Sequence, residues 1–337
     1  MVRPPHYGLL PRRFRRPTLL VVGCGDVGTR LARQLLARHG LDRMRVIGVV
    51  RSAESARALR AAGVPCLAVD LQQRRPLARL RGLAHWMVDL APPPNSGPGD
   101  PNTTRLIAAL ARAPARGPGR LAGARIRAGL EARVTRRWVY VSTTGVYGDT
   151  RGAQFDETRP VAPASARAMR RVDAERRFRG AAQRGLARVA IARAPGIYAE
   201  DRLPIERLRK GLPALIPEHD VYTNHIHADD LANVCWTALF RGRTGRIVHA
   251  VDDSDLKMGD YFDRVADALG LPRAPRVTRE ALPALVSPMM LSFMSESRRL
   301  LNRRLHRELR IRLRFPDVAA TLAAALAQVH ATADAKS

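Results

Sequence analysis

Lysine is almost missing from this chain of 337 residues: of its 58 basic residues only Lys210, Lys257 and Lys336 are lysines, and the other 55 are arginines. The arginines run along the whole length and outnumber the 30 acidic residues, for a net charge of +28 and a pI near 11.6. A charge spread in this way reads as a compositional bias of the source rather than as one binding face. It draws polyanions through counterion release. No basic region with heptads, no zinc finger and no aromatic RNA-binding signature accompanies it, so specific nucleic-acid recognition is not expected, and phosphorylated small ligands are favoured instead.

Cysteine is scarce too. Cys24, Cys66 and Cys235 lie far apart and form no C-x-x-C pair. That excludes a disulfide framework, suggests no structural metal site and fits a reduced, cytoplasmic protein. The stretch before Gly23 reaches only four consecutive apolar residues, too few for a signal-peptide core. Nowhere is there the run of about 18 that a membrane span needs, so no membrane partner is expected. What remains is a chain 46% apolar, able to bury a large core as one domain or as a domain with a smaller lobe.

The apolar residues are arranged as alternating strands and helices. After a basic, proline-containing tail over residues 1–17, "TLLVV" reads as a buried strand, and "DVGTRLARQLLARHG" as a helix with Gly40 as its stop. "MRVIGVV", "VPCLAVD" and "AHWMVDL" follow as strands, with "SAESARALRAAG" as a helix between the first two. A helix near 102–112, an Ala/Arg/Gly-rich insertion over 113–136, a strand at 138–142, the helix "SARAMRRVDAERRFRGAA" and the strand "ARVAIARAPGIY" complete the run. This βαβ spacing predicts a doubly wound parallel sheet of the Rossmann α/β class over residues 18–195. Beyond, helices near 228–240, 257–269 and 317–329 with a strand at 246–251 suggest a smaller C-terminal α/β lobe over 196–332.

Two motifs carry chemistry. "GCGDVG" at 23–28 fits G-x-G-x-x-G, follows a strand and opens a helix, which is the arrangement for dinucleotide binding. Gly23 permits the tight turn, Gly25 the approach of a pyrophosphate, and Gly28 close helix packing, while the helix start at Asp26 and Val27 offers amides to the phosphates. The second strand ends in "VVRS" with no acid to hold the ribose hydroxyls of NAD. Arg51 and Ser52 suit a 2′-phosphate instead, so NADP(H) is expected in preference to NAD(H). Asp70 and Leu71 would then lie near the adenine, and Ala91 and Pro92 would line the cleft. The second motif, "VYVSTTGVYGDT" at 139–150, runs from an apolar strand into a cluster of hydroxyls. It reads either as an active-site floor or as a capped loop.

Together "VVGCGDVG", "VYVSTTGVYGD", "RAPGIY", "NHIHADDLA" and "VDDSDLKMGDYF" resemble the extended short-chain dehydrogenase/reductase superfamily, in its NAD-dependent epimerase/dehydratase group. The resemblance covers roughly residues 18–330. It is nearest to a branch of nucleoside-diphosphate-sugar epimerases or NAD(P)-dependent oxidoreductases to which "SESRRLLNRRLHRELRIRLRFPD" is also similar. It implies a catalytic hydroxyl at Thr143, a small-molecule substrate such as a sugar nucleotide and a homodimer, although no segment marks a dimer face. It also implies a Y-x-x-x-K pair on the next helix. Setting Glu175 on the family's glutamate puts Arg171 at the lysine and Arg167 at the tyrosine, so the acid/base pair is absent. Arginine stays protonated and cannot be a general base, though Arg171 could still donate to a cofactor ribose.

Tyr147 is the second catalytic candidate, and Tyr198 is nearby in the motifs. His225 and His227 titrate in the right range for acid/base work, and alternate residues on a strand share a face as a metal pair would. A structural role is favoured for both, with the first Asp of "ADD" suited to capping. "SPMMLSFM" at 287–294 reads as packing. The leading expectation is an NAD(P)-dependent oxidoreductase or epimerase-like enzyme; the rival is a noncatalytic NADP(H)-binding sensor or scaffold that has lost its acid/base pair.

Overall fold

A computed structural model describes residues 17–84, 86–111 and 136–323. Most of the expected tail and all but Arg136 of the expected insertion lie outside the described residues.

The first strand, β1 (Thr18–Val22), is apolar and buried on both faces from Leu19 to Val22, as the centre of a parallel sheet requires. Helix α1 (Asp26–Arg43) follows, then β2 (Arg45–Val50), α2 (Ala53–Ala61), β3 (Cys66–Ala68), α3 (Arg74–Leu77), β4 (Trp86–Asp89), α4 (Pro101–Ala111), β5 (Arg137–Thr143), β6 (Gln154–Phe155), α5 (Ala166–Gln183) and β7 (Arg188–Ala194). The chain continues through β8 (Gly196–Tyr198), α6 (Ile205–Arg209), β9 (Ala214–Leu215), β10 (Tyr222–Thr223), β11 (His225–His227), α7 (Ala228–Arg241) and β12 (Arg246–His249). Then come β13 (Leu256–Lys257), α8 (Met258–Ala268), β14 (Arg276–Val277), α9 (Pro288–Met294), β15 (Arg299–Leu300) and α10 (Arg303–Arg307).

Seven strands form the central sheet in the order β12-β7-β5-β4-β1-β2-β3, all parallel. The Rossmann α/β class is therefore observed. One face is covered by α1 and α7, whose Leu31, Leu35, Leu231 and Cys235 share a core with Val21, Val88 and Val139. On the other face Leu106 and Leu110 of α4 and Phe178 of α5 pack on Val22, Met87 and Tyr140. A separate core around Leu208, Leu215, Tyr261, Phe262, Val265 and Met294 holds the later segments, and short two-stranded ladders brace them.

Three expectations are corrected. Helix α1 runs on past Gly40 to Arg43; burial of its apolar stripe carries the helix through a residue that only disfavours it. The stretch 188–198 is two strands rather than one. Pro195 lacks the N–H that a ladder needs, so β7 stays in the sheet while β8 pairs with β11. The strand assigned to the smaller lobe, Arg246–His249, is instead the edge of the central sheet, parallel to β7. The chain leaves the nucleotide-binding unit after β7 and returns to it with α7 and β12. Nothing local in the sequence records that return, because the pairing joins residues far apart.

All three cysteines are buried and free. Met294 is buried as expected of a packing residue, but its neighbours Met289 and Phe293 are exposed.

Candidate active site

The strand order reverses between β1 and β4, and in doubly wound sheets ligands sit in the crevice beyond the carboxyl ends of such a pair. The two loops meet there closely. A Cβ on Gly23, whose φ is +70°, would lie 2.4 Å from the Ala91 nitrogen, so only glycine fits. On Gly28 a Cβ would stand 3.0 Å from Val21 Cγ1 and 3.2 Å from Cys24 Sγ, which is the close contact of helix on strand. Gly25 is different: a Cβ there would meet nothing nearer than the Gly23 carbonyl at 4.0 Å. The loop is tight beneath and open above, at the start of α1 where Asp26, Val27 and Gly28 turn amides outward.

Asp26 itself is engaged by two arginines. Arg30 Nε donates to it at 2.9 Å, and Arg202 donates from across the cleft at 2.9 Å. Arg30 also reaches Asp201 at 2.7 Å and Asp229 at 3.3 Å. These contacts offset a carboxylate that would otherwise repel a pyrophosphate, and they tie α1 to the Glu200–Arg202 turn and to α7.

The remaining nucleotide candidates fall around the same crevice. Arg51 is exposed at the end of β2. Ser52 caps α2, accepting from the Ser55 amide at 3.1 Å and donating to Ser55 Oγ at 2.9 Å. Asp70 caps its own turn through the Gln72 amide at 2.9 Å and Gln73 at 3.2 Å, with Leu71 packed beside it against the core. Ala91 is half-buried and Pro92 exposed. The side chains of Ser52 and Asp70 therefore already serve the fold, whereas exposed Arg51 makes no hydrogen bond or ion pair among the described residues.

Arg171 occupies the expected lysine position, yet its buried guanidinium serves the protein itself. One nitrogen donates to the carbonyls of Ala91 at 3.2 Å and Val141 at 3.0 Å, and to the Tyr140 hydroxyl at 3.0 Å. It clamps the loop after β4 to the end of β5. Asp89, a group that sequence reasoning missed although it closes the buried strand "WMVD", lies beside this clamp. Burial raises its carboxyl to about 7, against the pull of the Ala91 amide and Arg171.

Thr143 ends β5 half-buried, and its oxygen accepts the Gly145 amide at 3.2 Å. Tyr147 does not join it. The ring is sealed by Phe155, His249 and Arg193. Its hydroxyl lies 2.6 Å from His249 Nε2, and burial pushes its pKa up to about 12. Tyr147, the second catalytic candidate, is thus a buried residue whose hydroxyl is engaged by His249 and does not readily ionise. Beneath it Glu175 and Arg193 form a bidentate pair at 3.0 and 2.6 Å, both buried.

Tyr198 is likewise enclosed and donates to Asp252 at 3.1 Å, where burial lifts the carboxyl to about 7. His225 stacks on Tyr261 with centroids 4.2 Å apart, and burial drops its pKa to about 4. His227 stacks on Phe315, and its Nδ1 accepts the Asp229 amide at 3.2 Å. Thus His227, not the first Asp of "ADD", caps α7. The carboxylate of that first Asp, Asp229, accepts from Arg30, and the second, Asp230, accepts the amides of Arg314 and Phe315 at 2.9 and 2.8 Å. Among the described residues no cluster of three or more His, Cys, Asp or Glu is placed to hold a metal, and no helix is long and apolar enough to cross a membrane.

Along the loop that follows β5 and the turn after it, a cavity of about 360 Å³ opens between Asp149, Arg151, Asp220, Tyr222, Lys257 and Ser297. Its rim is laced by Ser297, whose carbonyl accepts from Thr150 and Gly152 and whose amide donates to Asp149 at 2.8 Å. The C-terminal segment so closes over the loop that follows β5.

A family model for the NAD dependent epimerase/dehydratase family matches residues 19–250. The chain belongs to that family. This is the group its motifs resemble, and the match spans the whole seven-stranded sheet. Among solved structures, a functionally unknown conserved protein from Silicibacter pomeroyi DSS is 30% identical with a TM-score of 0.72, covering 93% of this chain and 99% of that one. A nucleoside-diphosphate-sugar epimerase from Pseudomonas aeruginosa is 19% identical with a TM-score of 0.69, covering 94% and 99%. MoeE5 in complex with UDP-glucose and NAD is 18% identical with a TM-score of 0.66, covering 94% and 99%. The latter two likenesses show the fold. No curated protein sequence matches the chain.

Proposed function

We propose that this member of the NAD dependent epimerase/dehydratase family binds NADP(H) in preference to NAD(H) on the glycine loop. It acts as an oxidoreductase or epimerase-like enzyme on a small hydroxyl or carbonyl substrate, of the kind a sugar nucleotide presents. One observation carries the reading: the loop is packed to contact under Gly23 and Gly28 while Gly25 is left open at the start of α1. The open side is where a pyrophosphate approaches.

The cofactor supplies hydride exchange when bound. Gly25 and the amides of Asp26 and Val27 hold its phosphates, Arg51 takes the 2′-phosphate, and Ala91 with Pro92 walls the crevice. Thr143 orients the reacting oxygen by its hydroxyl, whose proton is free to donate while its oxygen accepts from Gly145. Substrate enters from the cavity beside Asp149 and Tyr222, between the sheet and the smaller lobe. The MoeE5 complex, with its UDP-glucose and NAD, supports this division.

Calorimetric titration tests it. NADPH is expected to bind in the micromolar range, Arg51→Glu to weaken NADPH and spare NADH, and Thr143→Ala to abolish turnover of carbonyl or nucleotide-sugar substrates. Absence of binding by either dinucleotide defeats the proposal. A second reading, a noncatalytic NADP(H) sensor or scaffold, is favoured by Arg167 and Arg171 at the acid/base positions and by the sealed settings of Tyr147 and Tyr198. It predicts the same titrations with no turnover at all.

A further inference from the structure

Three arginines stand in the first two turns of α5, and two of them are committed. Arg170 donates to the Gly97 carbonyl at 3.0 Å, and Arg171 holds Ala91, Tyr140 and Val141 as described. Arg167 has no ion-pair or hydrogen-bond partner among the described residues and is exposed. Its pKa is lowered, by desolvation first and then by repulsion from Arg171 and Arg170. The fold thus maintains a cation beside two like charges, with no carboxylate paired to it among the described residues, an arrangement that an incoming anion relieves.

The backbone sets where that cation stands. Helix α5 connects the parallel strands β5 and β7 and so runs opposite to both. Arg171 reaches the carbonyl of Val141. Arg167 lies one helical turn, about 5.4 Å, nearer the start of α5, and Thr143 lies two residues, roughly 6.6 Å, further along β5. Both displacements point toward the carboxyl edge of the sheet. Arg167 therefore lies on the same face of α5 as Arg171 and one turn nearer the carboxyl edge of the sheet, the edge at which β5 ends in Thr143.

We propose that Arg167 is the receptor for an anionic oxygen pair on the substrate, a carboxylate or a phosphoryl group held beside Thr143. This rests on the reading above that the cleft takes a dinucleotide and a small substrate, and it narrows the substrate to an anion. The planar guanidinium offers two parallel donors to such a pair. It cannot remove a proton, so its part is to place the substrate rather than to act as the base.

The full chain, free and loaded with NADPH, is titrated with oxalate and separately with inorganic phosphate. Wild type is compared with Arg167→Gln, with Arg167→Lys, and with Arg57→Gln as a control at another exposed arginine. At least one anion should bind wild type and be weakened about ten-fold in Arg167→Gln, less in Arg167→Lys and not at all in Arg57→Gln. The anion that shows the loss identifies the group. Equal affinities of wild type and Arg167→Gln for both anions, or no binding of either by wild type, overturns the proposal. Failure to bind NADPH or NADH defeats the reading of the cleft instead, and the anion titration on the free protein separates the two.

Discussion

Tyr147 gives its hydroxyl proton to Nε2 of His249 across 2.6 Å. The direction follows from the other ring nitrogen. Nδ1 of His249 lies 2.9 Å from the Leu301 carbonyl, which only accepts, so Nδ1 carries the hydrogen and Nε2 is bare. This bond ties the turn after β5 to the edge strand β12 and, through Leu301, to the C-terminal segment. It commits the hydroxyl of the "VYG" tyrosine to a contact within the fold.

Tyr147→Phe should therefore behave as a structural change. It leaves a buried, unpaired nitrogen on His249, at a cost of about 1–3 kcal/mol. Urea denaturation should show that loss while the NADPH dissociation constant stays unchanged. An intact stability with lost turnover would reverse the assignment.

His249 predicts a pH dependence. Burial lowers its pKa to about 3, below its ordinary 6.5. A group so depressed lends stability that is present above its unfolded pKa and lost as pH falls through the window toward 3. His225, lowered to about 4, adds to the same loss, whereas Asp89 and Asp252, raised to about 7, work the other way, lending stability at low pH that fades as pH rises toward 7. Between pH 7 and 4.5, His249→Gln should lose less stability than wild type by about 2 kcal/mol. Equal losses in paired urea titrations at the two pH values would count against a neutral buried imidazole.

The glycine loop separates fold from binding. Gly23→Ala puts a Cβ 2.4 Å from the Ala91 nitrogen at a φ of +70°, and should lower the melting temperature by several degrees or prevent folding. Gly25→Ala meets no protein atom closer than 4.0 Å. It should leave the melting temperature nearly unchanged and weaken NADPH about ten-fold or more. A Gly25→Ala protein that binds NADPH normally would place the dinucleotide elsewhere.

Glu175 and Arg193 form a buried pair whose halves are not separable. Glu175→Gln strands a buried guanidinium and should cost about 3–5 kcal/mol, whereas the double change Glu175→Gln, Arg193→Met should cost less than Glu175→Gln alone. Thermal melts of the two variants decide the order.

Much of this was legible in the sequence because it is local. A strand that ends in glycines and opens a helix states the turn, the open approach and the helix start within six residues, 23–28. The alternation of apolar strands with amphipathic helices gave the Rossmann class, and arginine at 167 and 171 announced the missing base. Other assignments were not legible. His227 as a cap, Tyr147 as a donor to His249, and Arg202 reaching Asp26 each join residues whose separation along the chain carries no signal.

By itself, then, the sequence determined the alternation of strands and helices in the nucleotide-binding half, the glycine loop and the absence of a tyrosine and lysine pair, since each depends on residues that are neighbours in the chain. The tertiary structure decided that the Tyr147 hydroxyl is sealed while Thr143 stays half-buried, that β12 returns to the central sheet, and that among the described residues Arg170 and Arg171 have hydrogen-bond partners while Arg167 has none. Those are matters of burial and of partners brought from afar, and only packing determines them.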